Sequence, residues 1–298
     1  MTTIDLSDKR LTEIPVWLKD RHDVIELNLC FNKITEIKNL PPNLQILNLS
    51  FNKITEIKNL HSNLQTLNLM SNNISIIQNL PPNLQKLYLS STNITKFQNL
   101  PNTLIFLNLS STKITEIQNL PPNLKTLILM YNYINEIKNL PNSLEELYLN
   151  NTDINKIQNL PPNLKTLSLS NNEITKIENL PLNLQQLYLN YNNITKIENL
   201  PPNLQKMSIS NNKITKIENL PHSINLLYLN RNKITKIENL PISLNILSLL
   251  NNFIYQLPYE LSLLNTLKYS STIQSITKKI PKKQIDKIKP LMLLLEEL

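Results

Sequence analysis

The sequence predicts a repeat solenoid, with a parallel β-sheet along the concave face and extended, polyproline-like segments along the convex one. Three observations carry that prediction. From Val24 the chain repeats every 20 residues without insertion, in twelve units beginning at 24, 44, 64, 84, 104, 124, 144, 164, 184, 204, 224 and 244, the last one looser. Positions 1, 4, 6, 11, 14 and 17 of each unit are almost always large and apolar, and position 11 is Ile in all twelve, from Ile34 to Ile254. Positions 18 and 19 hold 15 of the chain's 19 Pro. One coil cannot bury six apolar side chains by itself, but a stack of coils buries them in one continuous core.

Each element of a coil has its own reason. The apolar residues at positions 1, 4 and 6 alternate at their end with polar ones, the period of a half-buried strand. Position 9 is Asn at Asn32, Asn52, Asn72, Asn132, Asn172, Asn192, Asn212, Asn232 and Asn252, and Thr at Thr92, Thr112 and Thr152. An amide donates and accepts at once, so a column of them can satisfy the backbone groups that each turn exposes. A hydroxyl should do this less well. Position 16 is Asn without a break from Asn39 to Asn239. Asn tolerates left-handed backbone best after Gly, so it takes the place of Gly before Leu-Pro. Pro at positions 18 and 19 removes donors and forbids a helix interior, which leaves an extended return.

Both ends read as caps. Residues 1–23 form a longer N-terminal capping repeat, with Ile4, Leu6, Leu11, Ile14 and Trp17 at its core positions. The repeats fill 24–263, and 264–298 hold a degenerate last coil and a Lys-rich C-terminal cap. Twelve strands at about 4.8 Å would give a sheet about 55 Å long, in a shallow arc because the returns are extended.

Composition narrows function. The 298 residues include 59 Leu and 48 Asn but neither Gly nor Ala. Without Gly there is no phosphate-cradling loop and no dinucleotide fingerprint. One Cys, Cys30, excludes a disulfide scaffold and a Cys-based zinc site. His61 and His222 are eight coils apart, roughly 40 Å at strand spacing, too far to share a metal or a proton relay. No cofactor and no enzymatic activity are expected. The start is polar and no apolar run reaches spanning length, so the expectation is the cytoplasm or a host cytoplasm, without secretion through a signal peptide.

The pattern LxxLxLxxNxIxxIxxLPxN resembles the leucine-rich repeat and covers about four-fifths of the chain. Its 20-residue length and Leu-Pro-Pro-x-Leu joint are similar to the short class in secreted bacterial effectors. The Ile-x-x-Ile half resembles the phosphatase-regulator type. An excess of Lys, Ile and Asn over Gly and Ala indicates AT-rich coding, so the chain also resembles proteins of amoeba-associated bacteria or amoeba-infecting giant viruses. Some similar effectors carry a Cys-dependent ubiquitin ligase domain. The 35 residues after the repeats contain no Cys and are too few for one.

The constant positions are consumed by the core, so function is expected at variable positions of the strand face. Position 5 carries Tyr88, Tyr148, Tyr188 and Tyr228, position 8 carries Phe31, Phe51, Tyr131, Tyr191 and Arg231, and position 3 carries Phe106. Exposed aromatic and Arg residues on a rigid sheet are what protein interfaces are enriched in. The alternative is cross-strand packing among themselves. Tyr188, Tyr191, Tyr228 and Arg231 form the densest group, expected on adjacent coils; Tyr131, Tyr133 and Tyr148 with Glu145 and Glu146 form a second. Glu and Lys at positions 13 and 15 cancel and read as a solvated face.

The resulting expectation is a monomeric, non-enzymatic scaffold that binds a protein partner. Two alternatives stay open. The net charge is +8, half of it in residues 264–298, where Lys278, Lys279, Lys282, Lys283, Lys287 and Lys289 could bind nucleic acid or an anionic membrane. The repeat resemblance also allows a phosphatase-regulator-like adaptor.

Overall fold

The computed structural model describes residues 2–237 and 239–254, together with the backbone of 266–268. The Lys-rich C-terminal segment lies outside the described residues. The chain divides into two compact units, Met1–Asp153 and Ile154–Leu298, built from the same coil.

In the first unit, β1 (Thr2–Asp5), β2 (Val24–Asn28), β3 (Ile46–Asn48), β4 (Thr66–Asn68), β5 (Lys86–Tyr88), β6 (Phe106–Asn108), β7 (Thr126–Ile128) and β8 (Glu146–Tyr148) pair in parallel, in chain order. In the second, β9 (Thr166–Ser168), β10 (Gln186–Tyr188), β11 (Lys206–Ser208), β13 (Leu226–Tyr228), β15 (Ile246–Ser248) and β16 (Thr266–Lys268) do the same. From β3 to β15 every sheet strand covers positions 3 to 5, and register advances by 20 residues, as Leu47↔Leu67 and Leu187↔Met207 illustrate. The returns are extended. Two of them pair, β12 (Lys216–Ile217) with β14 (Lys236–Ile237).

Five of the six apolar columns are buried throughout the described residues, from Leu44, Leu47, Leu49, Ile54 and Ile57 onward. The sixth is not: at position 17 Leu40, Leu100 and Leu240 are buried, while Leu60, Leu120 and Leu180 stay half-exposed at the rim. The Pro-containing joint closes a turn in which the position-1 N–H donates to the position-18 carbonyl, as Leu84 does to Pro81 at 3.2 Å. Pro suits such a turn because its φ is already set.

Residues 1–23 add one longer coil, with one departure from expectation. Ile14 is buried, but Trp17 is 49% exposed and Leu18 takes the last core place. A 3-10 helix over Val16–Asp20 turns Trp17 outward. The repeat spacing does not anticipate that change of backbone.

Three polar columns hold the coils together. At position 9, Asn52 Nδ2 donates to Leu29 O of the coil before at 2.9 Å and to Leu49 O of its own at 3.1 Å, while its Oδ1 accepts Ile34 N–H at 2.9 Å. Asn32 extends the same scheme onto the first coil, donating to Leu6 O and accepting from Leu11 N–H, both at 2.9 Å. Thr92 is poorer, reaching only Leu89 O, at 2.7 Å, among the described residues. Position 16 is left-handed at every Asn from Asn39 to Asn239, with φ between 52° and 57°. Those amides also bond, as Asn59 does to Ile37 O at 2.9 Å. The third column, position 20, has no counterpart among the sequence expectations: Asn83 donates to Ser62 O at 3.0 Å and Ser223 to Pro202 O at 2.6 Å.

Candidate functional site

Strand geometry decides which side chains are available. At positions 3 to 5 the middle residue is buried and its neighbours face outward, so positions 3 and 5 form the strand face. Position 8 lies beyond the strand. Its residue sits in a left-handed turn in all twelve coils, with φ from 53° to 59°. Phe31, Phe51, Tyr131, Tyr191 and Arg231 therefore occupy the turn bordering the sheet rather than the sheet itself, which corrects the strand-face placement. Each turn is fixed by the next coil: Tyr191 N–H donates to Ser210 O at 2.9 Å and Arg231 N–H to Leu250 O at 2.7 Å.

That backbone makes position 8 informative. Asn tolerates left-handed φ, whereas a bulky residue there is an outlier. Asn fills it at Asn151, Asn171, Asn211 and Asn251, but Tyr131 and Tyr191 keep the conformation with 57% and 55% of their surface exposed.

In the first unit, two aromatic pairs satisfy the packing alternative. Phe31 and Phe51 stack with centroids 4.4 Å apart and planes within 7°. Tyr88 meets Phe106 diagonally at 4.7 Å. Tyr148 is half-buried and donates its hydroxyl to Glu146 at 3.2 Å. Glu145 pairs with Lys125 across one coil at 2.8 Å. Tyr131 and Tyr133 are exposed.

In the second unit, Tyr188 donates its hydroxyl to Gln186 at 2.8 Å, and Lys206 Nζ lies 5.3 Å from its ring centroid. Tyr188 and Tyr228 do not lie on adjacent coils. Ser208 stands between them, paired with both, and Asn211 likewise separates Tyr191 from Arg231. The two tyrosines are thus two strand spacings apart, about 9.6 Å, with the strand of Lys206 and Ser208 between them.

Charges lie elsewhere. Lys58 bridges Glu36 at 3.1 Å and Glu56 at 3.4 Å on the return side, and these carboxylates raise its pKa above the usual lysine value. Near the first coil, the Arg21 guanidinium holds the Asp23 carboxyl well below its ordinary range. His61 replaces Pro at its joint and places Nε2 3.3 Å from Leu40 O, a structural contact. Among the described residues no group of three or more His, Cys, Asp or Glu could hold a metal ion, and no helix is long and apolar enough to cross a membrane.

Three family models match parts of the chain: leucine-rich repeats in two copies over residues 162–202, a single leucine-rich repeat over 41–56 and the FNIP repeat over 113–152. No curated protein matches. Solved structures do. YopM from Yersinia enterocolitica is 26% identical with a TM-score of 0.68, over 86% of this chain and 60% of that one. YopM from Yersinia pestis, a leucine-rich effector, is 22% identical with a TM-score of 0.74, over 90% and 88%. CroV588, a circular leucine-rich repeat protein of a giant virus, is 26% identical with a TM-score of 0.67, over 83% and 43%. Coil, asparagine column and matched models together give this chain a leucine-rich repeat solenoid fold, similar to that of bacterial effector and giant-virus proteins.

Proposed function

We propose that this protein is a non-enzymatic scaffold that docks a protein partner on the strand face and its bordering turn, with Tyr188, Tyr191, Tyr228 and Arg231 of the second unit as the main contact. The leucine-rich repeat fold and its effector neighbours support an interaction role. The observation that carries the site is Tyr191: a large aromatic, 55% exposed, in a left-handed turn that Asn fills in four other coils. Such a residue costs on the order of 1 kcal/mol where it stands. A bound partner that covers the exposed ring would offset that cost. Tyr and Arg are also the residue types that dominate binding energy at interfaces.

In the first unit Tyr131 has the same character, with Tyr148, Tyr88 and Phe106 on the neighbouring strand face. Tyr88 and Phe106 already cover each other, so Tyr131 and Tyr148 are the stronger contacts there. A photoreactive phenylalanine analogue at Tyr191 should crosslink a specific protein from host lysate, and the same analogue at Lys176 on the return side should not. Equal labelling from both positions would contradict the assignment.

A further inference from the structure

The return side of the second unit carries a basic strip that protein docking on the strand face leaves unused. Lys213 and Lys233 occupy position 10 of adjacent coils, and Phe253 holds that position in the next. Their N–H groups donate to Ile194, Ile214 and Ile234 carbonyls at 2.8, 2.8 and 2.9 Å, which lines the three residues up across neighbouring coils. Three residues on, Lys196, Lys216 and Lys236 make a second column at position 13. β12 and β14 hold Lys216 and Lys236 side by side as register partners. Only Thr195, Thr215 and Thr235 stand exposed or half-exposed between the columns.

The difference from the first unit lies at positions 13 and 15. There Lys58 bridges Glu36 and Glu56, and Lys138 bridges Glu136. Lys196, Lys213, Lys216 and Lys233 are exposed and make no ion pair among the described residues. Glu198 and Glu218 stand beside the column at position 15, past the buried Ile197 and Ile217, but close no bridge to these lysines among the described residues, so the cancellation expected from the sequence is incomplete there. Lys213 and Lys233 stand as like charges on neighbouring coils, which is unfavourable, and an anion laid along the strip relieves that repulsion. Phe253 at its end is 68% exposed.

The geometry points to a site for single-stranded nucleic acid, with lysines at positions 10 and 13 contacting successive phosphates and Phe253 stacking on a base. A line of cations ending in an exposed aromatic is the arrangement by which single strands are held without sequence reading. Lysine is a point charge without the planar fork that reads base edges, so backbone contact is the chemistry available. A bilayer fits less well, because interfacial binding needs a broad apolar face and the strip offers threonines and one phenylalanine.

Fluorescence anisotropy of a labelled 20-nucleotide oligothymidylate with the full chain, across a salt series, tests the site. The Lys213→Glu, Lys216→Glu, Lys233→Glu variant should bind at least ~30-fold more weakly, and the Gln triple at the same positions should flatten the log affinity against log salt slope by about 2. Phe253→Ala should lose about 5-fold or more. Replacing Lys278, Lys279, Lys282 and Lys283 by Gln should leave binding largely unchanged. Wild-type affinity in both lysine triples, or loss confined to the C-terminal variant, would overturn the proposal. So would lysine-dependent binding to phosphatidylserine vesicles with none to the oligonucleotide. Unfolding curves for both triples separate a binding defect from a folding one, and crosslinking at Tyr191 should survive the lysine changes.

Discussion

Asn192 and Leu169 belong to successive coils, and the Asn192 amide donates to the Leu169 carbonyl at 2.9 Å inside the core. The same amide donates to Leu189 O at 3.1 Å and accepts Ile174 N–H at 2.9 Å. One side chain thus satisfies buried backbone groups that no strand pairing reaches. Asn192→Ala should cost about 1–3 kcal/mol, the price of leaving buried partners unmade. Asn192→Thr should cost less, because the hydroxyl keeps the bond within its coil. Denaturant titration should rank stability Asn, Thr, Ala; an Ala variant as stable as wild type would contradict the role.

The converse applies at Thr92, where that column is weakened. Thr92→Asn restores a donor toward Leu69 O and an acceptor for Ile74 N–H, and should stabilise the chain by about 0.5–1.5 kcal/mol. An unchanged or lower unfolding midpoint would count against the ladder as the source of inter-coil stability.

Position 8 allows stability and function to be separated. Tyr191→Asn relieves a left-handed aromatic and should raise stability by about 0.5–1 kcal/mol while weakening partner capture. At position 16, Asn199 has φ 54° and donates to Ile177 O at 3.3 Å. Asn199→Gly should be tolerated and Asn199→Val should destabilise by about 1–3 kcal/mol, since a β-branched residue fits left-handed backbone poorly. Thermal unfolding of the three variants checks both claims.

The first coil has its own pH dependence. The Asp23 carboxyl is held below its usual value, first by Arg21 and then by the Thr2 side chain. A carboxyl depressed in the folded state contributes stability that is fully present above its unfolded value, about 4, and is lost as pH falls through the lower folded value. Trp17, the chain's one tryptophan, lies in this coil and reports on it. Its fluorescence should show an acid transition below pH about 4 that Asp23→Asn diminishes; identical acid profiles would contradict the linkage.

Sequence made the coil readable because its constraints repeat. Leu at positions 1, 4 and 6 and Ile at 11 and 14 fill the core in nearly every coil, and Asn at 9, in nine of twelve, and at 16 meets a recurring backbone need. What did not repeat was harder to see. The turn at position 8 is left-handed everywhere, yet Ser71, Phe51, Tyr131 and Arg231 fill it as well as Asn, so no residue type marks it. Position 20 varies among Asn, Ser and Thr, which hides a shared bond to the coil before. Trp17 has the spacing of a core residue, and only the 3-10 turn places Leu18 there instead. In the candidate site, the strand-face tyrosines follow directly from period-two alternation. The left-handed turn that holds Tyr131 and Tyr191 does not, because it is a backbone angle.

The most direct test of the scaffold account is partner affinity measured on wild type beside the Tyr188→Ser, Tyr191→Ser, Tyr228→Ser variant, using the protein recovered by crosslinking at Tyr191. The account predicts a loss of at least ~100-fold, since three interface aromatics at roughly 1–2 kcal/mol or more each exceed that amount, with an unfolding transition no lower than that of wild type. Undiminished affinity in a folded triple variant would contradict it.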